Sequence, residues 1–350
     1  MRLSIHTDQD VKNSDGTAGY SYSYFKIIEH FSKFTYQGKT MEILDNSKDA
    51  NTQLFYMEPE RYNHNNWKNL RRPSFKKFYD HQYKIQGVHL EATKVWSHWI
   101  EAMKSVDEIW VSNYFAKDAV LNSGIETPTY VFELGVDPIW KPNKRERKDV
   151  IRFLHVDSSS PRKRADLAVK AFRKAFGSRR DVSLTLKYHQ QQSVFSANSL
   201  FEESNIFHIH ETLSQSDLVK LYQEHDVLVY PTEGEGFGFI PLQALATGMP
   251  VITTGIWSSY EDLLGDNIIE SKLGKTQHTQ YYDGEVVLAE FDSLVHLMRK
   301  VVDNFDNEMN YYFNQAPSVN DRYNWKTRCD AFLESVVKRL GTKLSTKKNN

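Results

Sequence analysis

Tyr230-Pro-Thr-Glu-Gly-Glu-Gly-Phe-Gly-Phe-Ile-Pro-Leu-Gln-Ala-Leu-Ala-Thr-Gly-Met-Pro-Val251 is the stretch that decides the fold. It begins at the end of Asp226–Tyr230, which reads as a buried strand. Gly234, Gly236 and Gly238 then let backbone N–H groups approach a ligand closely. Pro241–Thr247 reads as a short helix, with proline at its start and Gly248 past its end. Val251–Thr254 reads as the next strand. A helix N-terminus carries partial positive charge and suits a phosphate. Glu235 offers a carboxylate to sugar hydroxyls. On spacing alone this is an anion-cradling loop. It lacks the Lys-Ser/Thr of a Walker A loop and the strict dinucleotide fingerprint.

The same alternation continues outward. Towards the N-terminus, Ser214–Tyr222 reads as a helix with Ser214 and Asp217 close to a capping box. Ile206–Ile209, Val182–Leu186 and Val150–Val156 read as strands. Arg164–Phe176 reads as an amphipathic helix, with Ala168, Ala171, Phe172, Ala175 and Phe176 on one face. The charged, aperiodic stretch Pro142–Asp149 reads as an interdomain linker. Before it, strands are predicted at Arg2–His6, Leu54–Tyr56, Val106–Val111 and Thr129–Phe132. A Gly-containing loop, Asp15–Gly19, separates the first strand from a helix through Tyr24, Ile27, Ile28 and Phe31. Repeated strand–helix alternation implies parallel sheets covered by helices.

Composition sets the limits. A length of 350 residues favours two domains. With 40% hydrophobic and 25% charged residues, the chain has ordinary globular material for two cores. A net charge of −1 removes any global pull toward nucleic acid or membrane, so such attraction must be local. The single cysteine, Cys329, excludes a disulfide framework within the chain and a thiolate metal cluster. It reads as a packed, inert thiol. That usage fits a reducing cytoplasm. No leader and no membrane-spanning run are read from the sequence, which leaves peripheral membrane contact open.

Glu235-Gly-Phe-Gly238 and Leu242–Val251 resemble the donor motif of retaining glycosyltransferases of the Glu-x7-Glu, group 1 type. The resemblance implies an α/β, GT-B fold: two facing Rossmann-like domains with parallel sheets and an interdomain cleft. It implies an acceptor domain over residues 1–147 and a donor domain over 148–320. A helix over 321–340 crosses back, and 341–350 is a basic tail. The first Glu of the motif, here Glu235, contacts the donor sugar. The second, a ribose ligand, is Gln243 here. Gly236, Phe237, Gly238 and Phe239 complete the donor loop. Leu154–Phe176, with Pro161-Arg-Lys163, resembles the phosphate-binding strand, loop and helix, and places Lys163 on the leaving diphosphate. Asp157 stands where many members carry a second basic residue, and Arg164 where a glycine is usual. Arg162 or Arg164 is expected to supply the missing charge. Gly87–Thr93 with Trp99, then Val106–Ala116, resembles a subgroup pattern containing Glu91. Leu134-Gly-Val-Asp137 resembles the turn before the linker. His89 lies near the place of a functional histidine. Gly16 and Gly19 belong either to an ordinary turn or to a loop approaching donor phosphate. The co-substrate implied is a nucleoside-diphosphate sugar, with no resident cofactor and no required metal.

Arg61–Lys84 carries seven basic residues against one acid, Asp80, with aromatics interleaved. That composition suits an anionic acceptor, to which Arg71, Arg72, Lys76 and Lys77 are assigned together with Glu91. A glycan, a lipid-linked acceptor and nucleic acid all fit. One alternative is a phage-type DNA glycosyltransferase acting on a hydroxylated base. Another, motivated by Gln243 and Asp157, is a protein that binds a nucleotide sugar or polyanion without catalysis. Asp8-Gln-Asp10 reads as a solvated loop, and His208 and His210 as structural or surface groups.

Overall fold

The computed structural model describes residues 2–6, 19–44, 50–56, 83–157, 160–188, 204–277 and 283–346. Gly16, Arg71, Arg72, Lys76, Lys77, the Asp8-Gln-Asp10 stretch and most of Arg61–Lys84 lie outside the described residues. In chain order the elements are β1 (Arg2–His6), α1 (Gly19–Phe31), β2 (Thr35–Tyr36), β3 (Lys39–Thr40), β4 (Glu42–Ile43), β5 (Thr52–Tyr56), β6 (Tyr83–Gly87), α2 (Ile100–Lys104), β7 (Glu108–Val111), α3 (Tyr114–Asn122) and β8 (Thr129–Val131). There follow β9 (Ile151–Val156), α4 (Ala165–Phe176), β10 (Val182–Tyr188), β11 (Ile206–His210), α5 (Gln215–Glu224), β12 (Val227–Tyr230), α6 (Phe239–Ala246) and β13 (Val251–Thr253). The last are β14 (Ser271–Gly274), β15 (Val286–Ala289), α7 (Phe291–Asp303), α8 (Phe305–Arg322) and α9 (Trp325–Thr346). No helix among the described residues is long and apolar enough to cross a membrane.

The chain forms two compact units. One comprises Met1–Leu90, Lys94–Gly135 and Tyr323–Asn350; the other comprises Glu91–Thr93 and Val136–Arg322. Each carries a parallel sheet, as the α/β reading expects. In the first unit the strand order is β4-β1-β5-β6-β7-β8, every pair parallel. Strand β6 begins inside the basic, aromatic segment and is a buried strand, with Ile85 and Gln86 wholly enclosed.

Helix α9 is held in the first unit by buried charge. Glu108, wholly buried on β7, accepts hydrogen bonds from Tyr83 (3.1 Å), Trp110 (2.6 Å) and Arg339 of α9 (2.6 Å). The Arg339 guanidinium also lies 3.7 Å from the centre of the Tyr130 ring. Arg328 pairs with Glu133 at 2.9 Å, and Phe332 stacks on Phe132 at 4.4 Å. Cys329 is buried on the same helix, and burial pushes its thiol pKa up, so it stays protonated.

The second unit has the strand order β11-β10-β9-β12-β13, again all parallel, and a separate antiparallel pair, β14-β15. Its core joins Phe153 and Leu184 of the sheet to Phe172 and Phe176 of α4 and Leu294 and Met298 of α7. Arg299 links the two helices by donating to the carbonyls of Lys174 and Ala175.

Residues 136–147, assigned from sequence to the first domain, lie in the second unit. Trp140 is fully buried with its ring 4.9 Å from Tyr222. Arg145, within the stretch read as a linker, is buried and donates to the carbonyls of Tyr222, His225 and Thr247 at 2.8–2.9 Å. Burial pushes its pKa down to about 10, which leaves it charged at neutral pH. Within this largely exposed stretch, read from sequence as a linker, Arg145 is a buried anchor.

Removing one member of a buried pair strands the other, at a cost of about 3–5 kcal/mol. Arg339→Met is therefore expected to destabilise the protein by about 3 kcal/mol in urea denaturation, the lower end because Tyr83 and Trp110 still serve Glu108.

Candidate active site

In the second unit β9 is central. The chain passes from it to β10 and β11 on one side and then returns to β12 and β13 on the other. The order therefore reverses between β9 and β12. Loops at the carboxyl ends of such strands form the usual ligand site of an open parallel sheet. Here they are the loop carrying Arg162, Lys163 and Arg164 and the glycine-rich loop carrying Glu233 to Gly238.

The first loop is a 3-10 turn, Pro161–Lys163, after which Arg164 takes a left-handed backbone (φ 57°) and starts α4. That conformation costs a side-chain-bearing residue about 1–2 kcal/mol. Its guanidinium offsets the strain by pairing with Asp166 (2.9 Å) and Glu233 (3.1 Å). Burial would lower the Arg164 pKa, but these two carboxylates outweigh it and raise it. Arg162 donates to Glu235 at 2.9 Å and pairs with Glu91 at 3.1 Å; it also donates to the Gly234 carbonyl. Both arginines expected to replace the charge missing at Asp157 are thus already paired. Asp157 is itself buried, and its carboxylate accepts the Ser160 N–H at 2.9 Å. Lys163 is different. It is buried, its ammonium lies 5.9 Å from the centre of the Tyr230 ring, and among the described residues it makes no ion pair.

The second loop is set by two close approaches. A Cβ at Gly234 would lie 2.3 Å from the Glu91 carbonyl oxygen. At Gly238 the backbone is left-handed (φ 85°), and a Cβ would meet Trp257 and Tyr260 at 2.4 Å. Glycine is needed at both. Glu235 Oε1 accepts hydrogen bonds from Arg162, from Tyr230 (2.7 Å) and from Thr232 (3.2 Å). Burial would raise the Glu235 pKa, but Arg162, then Lys163 and the Tyr230 hydroxyl, outweigh it and hold it below the usual carboxylate range. The carboxylate is therefore ionised and fixed in direction. Phe237 is buried, with its ring 5.2 Å from Phe239 and 6.1 Å from Tyr260. Gln243 lies on α6, mostly buried, and its side-chain amide makes no hydrogen bond among the described residues.

Glu91, assigned from sequence to the acceptor side, belongs with the second unit and pairs with Arg162. The segment is secured at Thr93, whose N–H donates to the Glu285 carbonyl (2.8 Å) and whose hydroxyl accepts the Glu285 N–H (2.8 Å). His89 lies in the first unit, at the carboxyl end of its sheet. Its Nε2 is 2.8 Å from the Tyr56 hydroxyl and its Nδ1 is 2.7 Å from the Ser112 hydroxyl. Tyr56 donates to Ser23 at 2.8 Å, so the imidazole is fixed in a chain of hydroxyls. Gly19 opens helix α1. The sequence reading missed Tyr230, Thr232 and Glu233 as partners. Their position inside the glycine-rich stretch was the available signal.

Residues 136–274 match the family model "Glycosyl transferases group 1". The structure of WaaG, a glycosyltransferase involved in lipopolysaccharide biosynthesis, superposes with a TM-score of 0.61 at 15% identity, covering 95% of this chain and 99% of that one. The fold is that of the GT-B glycosyltransferases. The pneumococcal O-GlcNAc transferase GtfA, solved with UDP and GlcNAc, gives a TM-score of 0.58 at 12% identity, over 83% of this chain and 57% of that one. A Sulfolobus islandicus filamentous virus protein carrying the name glycosyltransferase 45 is 28% identical over 178 residues, 49% of this chain. The chain spans about half the length of that viral relative, with 48% of it matched.

The lowered Glu235 pKa has a consequence for stability. Its pairing contributes stability that is fully present above the unfolded carboxylate value and is lost as pH falls through the lower folded value. Wild type is therefore expected to lose melting temperature more steeply than Glu235→Gln as pH falls below 4.5, read by differential scanning calorimetry. Parallel profiles would contradict the pairing.

Proposed function

We propose that this chain transfers a sugar from a nucleoside-diphosphate sugar to an acceptor hydroxyl, with retention at the anomeric carbon. The observation that carries the reading is Lys163: a buried ammonium without an ion pair among the described residues, at the sheet's switch point and beside the ionised Glu235. A buried cation without a partner is costly unless a ligand supplies the anion. The match of residues 136–274 to the group 1 model supports the same reading.

In this mechanism Glu235 orients the sugar by accepting its hydroxyls. Loop N–H groups from Gly236 to Gly238 and the start of α6 face the phosphates. Gln243 holds the ribose diol as donor and acceptor without charge. The bond between the anomeric carbon and the β-phosphate oxygen breaks, and Lys163 stabilises the charge that develops on that oxygen. The acceptor oxygen bonds the anomeric carbon from the same face and gives its proton to the departing phosphate. Arg162 and Arg164 act by fixing Glu235 and the loop. The acceptor is anionic on this reading, supported by the basic and aromatic composition of Arg61–Lys84.

The test is a panel of radiolabelled nucleoside-diphosphate sugars offered with glycan, lipid-linked and hydroxymethylated duplex DNA acceptors. One donor is expected to lose its sugar to one acceptor class. Lys163→Met and Glu235→Gln are each expected to lower turnover about a hundredfold or more while the proteins stay folded. A donor that binds but is never consumed would favour the non-catalytic reading. Full activity in both variants would remove this site.

A further inference from the structure

The cations near the two loops fall into two kinds. Arg162 is matched by Glu91 and Glu235, and Arg164 by Asp166 and Glu233. Lys163 and Lys187 are both buried, and neither has an ion pair within 4.0 Å among the described residues. Lys187 is only 6% exposed and lies next to last on β10. The parallel register sets it beside Val156 at the end of β9. Its carbonyl accepts the N–H of Asp157, the residue that opens the Lys163 loop, at 2.8 Å.

Register also fixes the direction of the Lys187 side chain. Phe153, Leu184, Leu186, Val227 and Val229 share one core cluster, so they mark one face of the sheet. Side chains alternate along a strand, so Lys187 projects from the opposite face. Tyr230, which follows Val229, projects from that same face, and Lys163 lies over its ring. β10 and β12 flank β9. The two lysines therefore flank the carboxyl end of β9, one from each side. Burial, and then repulsion by Lys163, push the Lys187 pKa down; Glu211 and Asp157 oppose this only in part.

Two buried ammonium groups that repel each other, without a facing carboxylate at ion-pair distance, destabilise the free protein. A dianionic or trianionic ligand between them reverses that sign. We infer that Lys187 is the second cation of the donor site, clamping the diphosphate together with Lys163 from the opposite side of β9. The inference rests on the nucleotide-sugar reading and adds to it a residue outside both loops. It also accounts for the tolerance of Asp157, whose carboxylate is occupied by the Ser160 N–H.

The experiment is calorimetric titration of wild type, Lys187→Met, Lys187→Arg and Lys163→Met with UDP, GDP and ADP and with their monophosphates. Wild type should prefer one diphosphate over its monophosphate. Lys187→Met should weaken that diphosphate about tenfold to a hundredfold and leave the monophosphate nearly unchanged, the loss expected of one charge-assisted hydrogen bond. Lys187→Arg should recover most of the preference. Without ligand, Lys187→Met should melt at or above the wild-type temperature, because a repelled buried charge has gone; a lysine serving only the fold would lower it. Lys187→Gln provides the same comparison if the methionine variant does not fold. Unchanged diphosphate binding in Lys187→Met, with loss in Lys163→Met, would overturn the role of Lys187 and leave the donor reading standing. Unchanged binding in both, or no diphosphate binding by wild type, would overturn both.

Discussion

Everything at the candidate site depends on one buried guanidinium. Arg162 joins three segments far apart in sequence: the Glu91 segment, the loop after β9 and the glycine-rich loop after β12. At about 3 Å and an effective dielectric constant of about 20, each ion pair is worth roughly 5 kcal/mol of attraction before desolvation. Desolvation cancels much of that, so the network contributes little net stability. Its effect is positional. Glu235 is held ionised by Arg162 and pointed by Tyr230 and Thr232, and Gly234 leaves room for the Glu91 carbonyl. A larger residue at Gly234 would push the two segments apart.

The charges then sort by role. Paired arginines build the loops, and Lys163 and Lys187, without ion pairs among the described residues, are the anion ligands on the proposed reading. This division follows from side-chain chemistry. A planar, five-donor guanidinium can serve two carboxylates and a carbonyl at once. A lysine ammonium is a point charge on a flexible stem and suits a phosphate that comes and goes. Lys163 lies in the loop after β9, at the strand-order reversal, and Lys187 lies on β10, the neighbour of β9 on its other side.

Much of the donor half was legible in the sequence because its cause is local. Gly234 and Gly238 occupy positions that exclude a Cβ, and α4 shows its apolar stripe in three alanines and two phenylalanines. What was not legible depends on partners distant in sequence. Both carboxylates that neutralise Arg162, at positions 91 and 235, and one of the two that neutralise Arg164, at position 233, are distant in sequence; only Asp166 is local. Lys187 falls just past the predicted strand Val182–Leu186, and only the register with β9 and β12 shows which way it points. Arg145 sat in a charge run that resembles a linker, yet its partners are carbonyls 77 to 102 residues away. Strand β6 was concealed by the basic residues before it. Glu91 to Thr93 resembled part of the first domain because their neighbours on both sides belong to it.

The most direct measurement is a crystal structure of the protein with the nucleoside diphosphate it binds most tightly. The two phosphates are expected against Lys163 and Lys187, with the ribose within reach of Gln243 and the Arg162–Glu235 pair unbroken. A diphosphate bound away from both lysines, or one held by Arg162 and Arg164 with their carboxylates displaced, would contradict that expectation.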